Sequence, residues 1–363
     1  MRMGSCDLIM AVYNELEITK NCLESLIKNT VFPYRLIIID NGSEEPTKNY
    51  LIEMKNKFSH FTLIRFEKNL GFVKAINTGL KNVDAEFICL VNNDTIFTKG
   101  WLSEMVEIMR ENKEIGVLNP ASNSWGEWPP KNNSLEEYAE KISLRKGQWQ
   151  EASYCIGFCM MFRKDILDKV GYLDDSYGMG YLEETDFCRR VQKLNYFCGI
   201  AKGAYVYHLG GQTFKKFSNS RVWYKENLKI FNQRWGKSLR MAFIIGGKNI
   251  DKEKTHQLVL SALRDYHAVR VYSPILLDKT WVPNHAGLRL YEIESKFFTL
   301  KVFLRIFLRQ LKQGKEKNFH IIILLNCPLV FLFKGLLIFP KLLILINPSL
   351  TEARLCWQRI SQF

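Results

Sequence analysis

The sequence predicts an α/β fold over residues 1–240, a mostly parallel sheet with flanking helices, followed over residues 241–363 by a helical, membrane-associated region. Three observations lead there. Short apolar runs alternate with helical periodicities along the first part of the chain. The runs are apolar without period-two alternation, as strands covered on both faces must be. Three of them end in polar residues, at the position where open α/β sheets bind ligands.

The elements follow in order. Leu8–Tyr13 is a short apolar run that suits a buried strand, and it ends in Asn14-Glu15. The segment 17–29 places Ile18, Cys22, Leu23, Leu26 and Ile27 on one helical face. Leu36–Ile39 is a second apolar, β-branched strand, closed by Asp40-Asn41-Gly42-Ser43. Phe61–Phe66 is a third strand, Gly71–Asn82 a helix and Glu86–Val91 a fourth strand, closed by Asn92-Asn93-Asp94-Thr95.

Composition narrows the functional classes. The chain has 363 residues, 47% of them apolar, which is ordinary for a folded protein and excludes wholesale disorder. A formal net charge of +14 points to anionic partners: nucleotides, phospholipid head groups or nucleic acid. The basic residues gather toward the C-terminus beside apolar runs, an arrangement that suits lipid better than nucleic acid. Nine cysteines without a CxxC pair fit a reducing compartment. The first apolar run is too short for a signal peptide, so a cytoplasmic catalytic domain is expected.

The polar strand ends carry the chemistry. Asp40, in an Asn-Gly turn, is placed to accept hydrogen bonds from a base or ribose. Asp94 offers a hard carboxylate oxygen to a metal that bridges two phosphates. Glu183 and Glu184 open a helix in Tyr181-Leu-Glu-Glu-Thr-Asp-Phe-Cys-Arg-Arg190, and a positioned carboxylate there can take a proton from an acceptor hydroxyl. Asp186 and Arg190 form an i,i+4 pair, with Phe187, Val191 and Leu194 facing the core. His208 ends the run Ala204–His208 and is the best candidate to join Asp94 on the metal. The polar, basic stretch 210–220, with Lys215 and Lys216, is either a solvated loop or a lid over phosphates.

These landmarks, in their order, resemble glycosyltransferase family 2, the inverting enzymes of the Rossmann-like GT-A fold, including rhamnosyltransferases and O-antigen-type bacterial transferases. The set runs through Val12-Tyr13-Asn14, Asp40-Asn41-Gly42-Ser43, Asn69-x-Gly71-Phe72 with Ala75, Asn77 and Gly79, Asn92-Asn93-Asp94, Gly157 with Gly171–Asp174, Glu183–Arg190 and His208-x-x-Gly211. The resemblance covers residues 6–235. It implies that Val12, Tyr13, Asn14, Asp40, Gly71, Asn77, Asn92 and Asn93 bind the nucleotide donor. It implies that Asp94 and His208 hold Mn²⁺ or Mg²⁺, and that Glu184 is the general base with Glu183 as fallback. Gly157, Asp186 and Arg190 fall on the acceptor side. Two departures stand out: the DxD-type motif has one carboxylate, and the base position holds Glu where the family usually has Asp. Phe231 replaces the Gln of the QxxRW motif of processive synthases, so transfer of a single sugar is expected.

The C-terminal third reads differently. Residues 296–313 place Lys301, Arg305, Arg309 and Lys312 on one helical face and Phe and Leu residues on the other, a basic amphipathic helix suited to a membrane surface. Residues 320–347 are strongly apolar but interrupted by Asn326, Pro328, Lys334, Pro340 and Lys341, which suits a kinked or re-entrant insertion better than a span. The expected partners are thus a nucleoside-diphosphate sugar, a glycan or lipid-linked acceptor and an anionic membrane, on the cytoplasmic side. Two alternatives stand beside this reading: a nucleotidyltransferase, for which a Gly- and Lys-rich phosphate loop is missing, and a non-catalytic protein that retains the fold.

Overall fold

The computed structural model describes residues 2–210, 219–247, 249–275, 279–294, 296–311, 318–328, 330–339 and 341–362. Residues 211–218 of the stretch expected as a lid, including Lys215 and Lys216, and Lys312 fall outside the described residues. Contacts divide the chain into two compact units, Met1–Phe231 and Asn232–Phe363.

The first unit is built on nine strands: β1 (Arg2–Val12), β2 (Tyr34–Asn41), β3 (Phe61–Phe66), β4 (Ala85–Val91), β5 (Thr95–Phe97), β6 (Ile115–Ala121), β7 (Trp149–Ala152), β8 (Cys159–Arg163) and β9 (Phe197–His208). Its helices are α1 (Leu16–Asn29), α2 (Glu45–Lys57), α3 (Phe72–Leu80), α4 (Trp101–Glu111), α5 (Leu135–Ser143), α6 (Lys164–Val170), α7 (Glu183–Lys193) and α8 (Ser220–Trp235), the last running past the unit boundary. The sheet order is β3-β2-β1-β4-β8-β6-β9-β5, with β7 on β9. The β3-β2-β1-β4 half is parallel, and β8 runs antiparallel between β4 and β6. Leu8, Ile9 and Met10 and the whole Leu36–Ile39 run are fully buried, which is why these strands are apolar on both faces. The helix α3 lies so close to the sheet that a Cβ on Gly79 would sit 2.5 Å from a methyl of Ile9. Leu194, expected in the core, instead follows the end of α7 and is exposed.

The second unit corrects the expectation of a helical C-terminal region. It is an α/β unit with five parallel strands, β10 (Arg240–Ile245), β11 (Ala268–Pro274), β12 (Arg289–Ile293), β13 (Ile321–Leu325) and β14 (Leu343–Ile346), in the order β12-β11-β10-β13-β14. The helices are α9 (Lys252–Arg264), α10 (Phe298–Leu311), α11 (Val330–Lys334) and α12 (Leu350–Ser361). Leu258, Leu263, Ala353 and Trp357, from α9 and α12, share one core with the sheet. Val302, Ile306 and Phe333, from α10 and α11, share another. The apolar run 320–347 supplies two strands and the short helix α11 between them, and all five residues of β13 are buried between β10 and β14. Apolarity reported burial there, but against protein. No helix among the described residues is long and apolar enough to cross a membrane.

Candidate active site

A cavity of about 280 Å³ opens beyond the ends of β1, β2 and β4 in the first unit. It is lined by Val12, Tyr13, Asn92, Asn93, Asp94, Gly157, Glu183, Glu184 and His208, nine of the residues expected from sequence.

The antiparallel pairing of β5 with β9 assembles the metal-type end. Thr95 pairs with His208, and Leu209 N–H donates to the Asp94 carbonyl at 2.9 Å, so residues more than a hundred positions apart become neighbours. Asp94 Oδ1 and His208 Nε2 then lie 3.2 Å apart. Both atoms are buried, and neither has a hydrogen-bond partner beyond this contact. A buried polar atom without a partner costs of the order of 1–3 kcal/mol unless something else satisfies it. His208 is oriented by a 2.9 Å contact of Nδ1 with Ser124 Oγ and by stacking on Phe158, ring centroids 5.0 Å apart. One carboxylate oxygen and one imidazole nitrogen, buried and aimed at a common point, fit a divalent cation of the Mn²⁺ type, whose other positions phosphate oxygens or water would fill.

The acidic end comes from the start of α7. Tyr181 and Leu182 both have positive φ, 76° and 72°, which makes a sharp entry into the helix. Asn227 on α8 braces this entry, its Nδ2 donating to the carbonyls of Tyr177, Gly180 and Tyr181 at 2.9, 2.6 and 3.1 Å. Glu183 and Glu184 thereby reach the cavity, and neither Oε2 has a hydrogen-bond partner. Burial raises both carboxyls above the usual carboxylate range, and the neighbouring Glu184 charge pushes Glu183 further up. A Cβ on Gly157 would stand 3.8 Å from the Glu184 side chain, so the space beside this carboxyl depends on a small residue.

The other expected site residues line none of the cavity and hold its walls. Asn14, at φ 56°, ties loops together: its N–H donates to Ser43 Oγ and its Oδ1 accepts from Glu44 N–H. Asp40 is fully buried, accepts from Ser43 N–H and forms an ion pair with Arg65. Gly71 caps α3 at φ 93°, and a Cβ there would stand 2.9 Å from the Gly178 carbonyl. Asn77 clamps the 173–175 turn through the Leu173 backbone and Asp175. Asp186 and Arg190, expected on the acceptor side, form the i,i+4 pair at 2.8 Å, and Arg190 also donates to the carbonyls of Val170 and Tyr172. The cavity adds Asn41, Asn69, Phe72, Phe158, Met179 and Tyr181 to the residues singled out as site groups. Asn41 was within reach of sequence reasoning. Consecutive strand residues face opposite ways, so if Asp40 points into the frame, Asn41 points to the crevice.

Fold and cleft together define a GT-A-like α/β domain, with an acidic pair and a metal-type Asp-His pair at the carboxyl ends of its strands. Residues 7–171 match the model of Glycosyl transferase family 2. Among curated relatives, the poly-beta-1,6-N-acetyl-D-glucosamine synthase of Staphylococcus epidermidis is 28% identical over 171 residues, 46% of this chain and 41% of that protein. An uncharacterized glycosyltransferase of Bacillus subtilis, YwdF, is 26% identical over 172 residues, 46% of this chain and 61% of that protein. The match thus spans less than two thirds of either relative. Of solved structures, GalNAc-T7 with UDP, GalNAc and Mn²⁺ superposes with a TM-score of 0.50 at 13% identity, covering 63% of this chain and 48% of that one, a likeness of fold.

Proposed function

We propose that this chain is an inverting glycosyltransferase that moves a single sugar from a nucleoside-diphosphate sugar to a hydroxyl of a glycan or lipid-linked glycan. The observation that carries the reading is the convergence on one cavity of the buried Asp94–His208 pair and the buried Glu183–Glu184 pair. Support comes from the family 2 match and from relatives named as glycosyltransferases. A GT-A-like fold was solved with UDP and Mn²⁺, in line with a divalent metal here, either Mn²⁺ or Mg²⁺.

In this reading Asp94 and His208 hold the metal, which when bound neutralises charge on the departing diphosphate. Val12, Tyr13, Asn92 and Asn93 line the donor side of the cavity. Glu184 takes the proton of the acceptor hydroxyl as its oxygen bonds to the anomeric carbon and the bond to the nucleoside diphosphate breaks. Glu183, raised by burial and by the neighbouring Glu184, keeps its proton and spares Glu184 a second adjacent charge. Phe231 is buried on α8, at the place where a processive synthase would carry Gln, in keeping with transfer of one sugar.

The test is Asp94→Ala, assayed with a panel of nucleotide sugars by metal-dependent donor hydrolysis and by thermal stabilisation. Turnover should fall by about 10²–10³-fold and the metal-dependent stabilisation should vanish. Unchanged turnover would remove the metal site from the mechanism.

A further inference from the structure

The outer surface of the α10/α11 layer lines no part of the described cavity, and it has an unusual composition. The inner face of α10 packs on the sheet through Phe298, Val302 and Ile306. Its outer face carries a ridge of Leu300, Leu304, Leu308 and Leu311, all exposed, with Leu304 at 46% and Leu308 at 57%. The next elements continue the apolar surface. Phe303 and Phe307 of α10 meet Phe333 and Phe339 edge-on, at 5.7 and 5.9 Å, and these short helical turns expose Phe331 at 65%, Leu337 and Ile338 at 72%. Apolar side chains scattered singly are normal on a surface, whereas a contiguous set on one layer marks an interaction site.

Charge decides what covers it. Between residues 296 and 350 the sequence has nine Lys and Arg against one Glu. Lys301, Arg305, Lys334 and Lys341 are all exposed among the apolar residues or at their border. Among the described residues, the 3.7 Å pair of Lys301 with Glu294, just outside this stretch, offsets them. A second copy of the chain would bring like charges together around its own ridge. An anionic bilayer takes leucine and phenylalanine into its acyl boundary and lysine and arginine against its head groups.

We propose that this layer is a membrane-docking surface: the Leu300–Leu311 ridge and the Phe331–Ile338 turns lie in the interface of an anionic bilayer, held by Lys301, Arg305, Lys334 and Lys341. The folded unit docks as a body and no segment of it inserts across the membrane. This replaces insertion of 320–347 with surface attachment, and it places the enzyme where a lipid-linked acceptor resides.

The experiment is co-sedimentation of the purified full chain with vesicles of phosphatidylcholine alone or mixed equally with phosphatidylglycerol. The wild type should sediment with the mixed vesicles, less with the neutral ones, and be released by salt. Leu304→Glu/Leu308→Glu, at exposed positions, should cut the bound fraction by about tenfold or more while the unfolding midpoint and soluble donor hydrolysis stay unchanged. Lys301→Glu/Arg305→Glu should weaken binding to the mixed vesicles only. Three results overturn the proposal: no preference for anionic vesicles, full binding by the leucine variant, or a leucine variant that changes only the oligomeric mass in light scattering. Because donor hydrolysis is read separately, failure of docking leaves the assignment of the cavity standing, and the reverse also holds.

Discussion

The chain contains two sheets with parallel strands, and the loops beyond their strand ends differ in one respect. In the second unit the described loops after β10, β13 and β14 hydrogen-bond to one another. Asn326 Nδ2 donates to the Asn249 carbonyl at 2.6 Å, Asn326 N–H to Asn347 Oδ1 at 2.8 Å, and Lys254 Nζ to the Asn347 carbonyl at 3.2 Å. Gly247 is pressed so close that a Cβ would stand 2.9 Å from the Asn326 carbonyl. In the first unit, Asp94, His208, Glu183 and Glu184 each present to one cavity a buried atom that makes no hydrogen bond outside the Asp94–His208 and Glu183–Glu184 pairs. Similar architecture thus yields one closed end and one reactive end, and the difference lies in unsatisfied polar groups rather than in the fold.

The largest effect that tests this contrast is Glu184→Gln. It should lower kcat by about 10²–10⁴-fold with donor binding retained, measured as turnover against thermal shift by the nucleotide sugar. Retained turnover would remove Glu184 as the base. Next is Arg190→Ala. If Arg190 belongs to the frame, its loss strands the buried Asp186 carboxylate and costs about 3–5 kcal/mol in denaturant unfolding. A folded variant of normal stability with only a raised acceptor KM would return Arg190 to the acceptor side.

Asn326→Ala probes the closed end. Asn326 has φ 47°, and its side chain bridges to Asn249, so about 1 kcal/mol of stability should be lost with donor turnover unaltered. A fall in turnover would show that the two ends are not separable. The smallest effect is on pH-dependent stability. The raised Glu183 carboxyl favours its protonated form in the folded state, so its contribution is intact below the unfolded value near 4.5 and is lost as pH rises through the folded value. Glu183→Gln should therefore match the wild-type Tm in acid and exceed it by a few degrees at neutral pH. A gap that opens on acidification instead would contradict the buried pair.

Much of the first unit was legible in the sequence. Strand ends 12–13 and 92–94 point at the cavity because a strand can end a parallel sheet only at its rim. The roles of Asp40, Asn77, Asp186 and Arg190 were not legible. The same polar residue types serve a ligand or a loop, and only their partners tell which. Arg65, Leu173, Val170 and Tyr172 are those partners, distant in sequence for all but Asp186. Asn227 carried no signal at all, since its function is to accommodate two positive-φ residues 45 and 46 positions earlier.

The sequence by itself determined the alternation of strands and helices, the polar strand ends and the residue types that can hold a metal or take a proton. Tertiary structure decided which of those residues meet. The β5–β9 pairing sets Asp94 beside His208, and the entry to α7 turns Glu183 and Glu184 into the same space. It also decided that the apolar run 320–347 builds a sheet, while the leucines of α10 remain outside. The physical reason is that hydropathy and local spacing record how strongly a segment avoids water. What takes the place of that water is set by pairings between residues far apart in the chain.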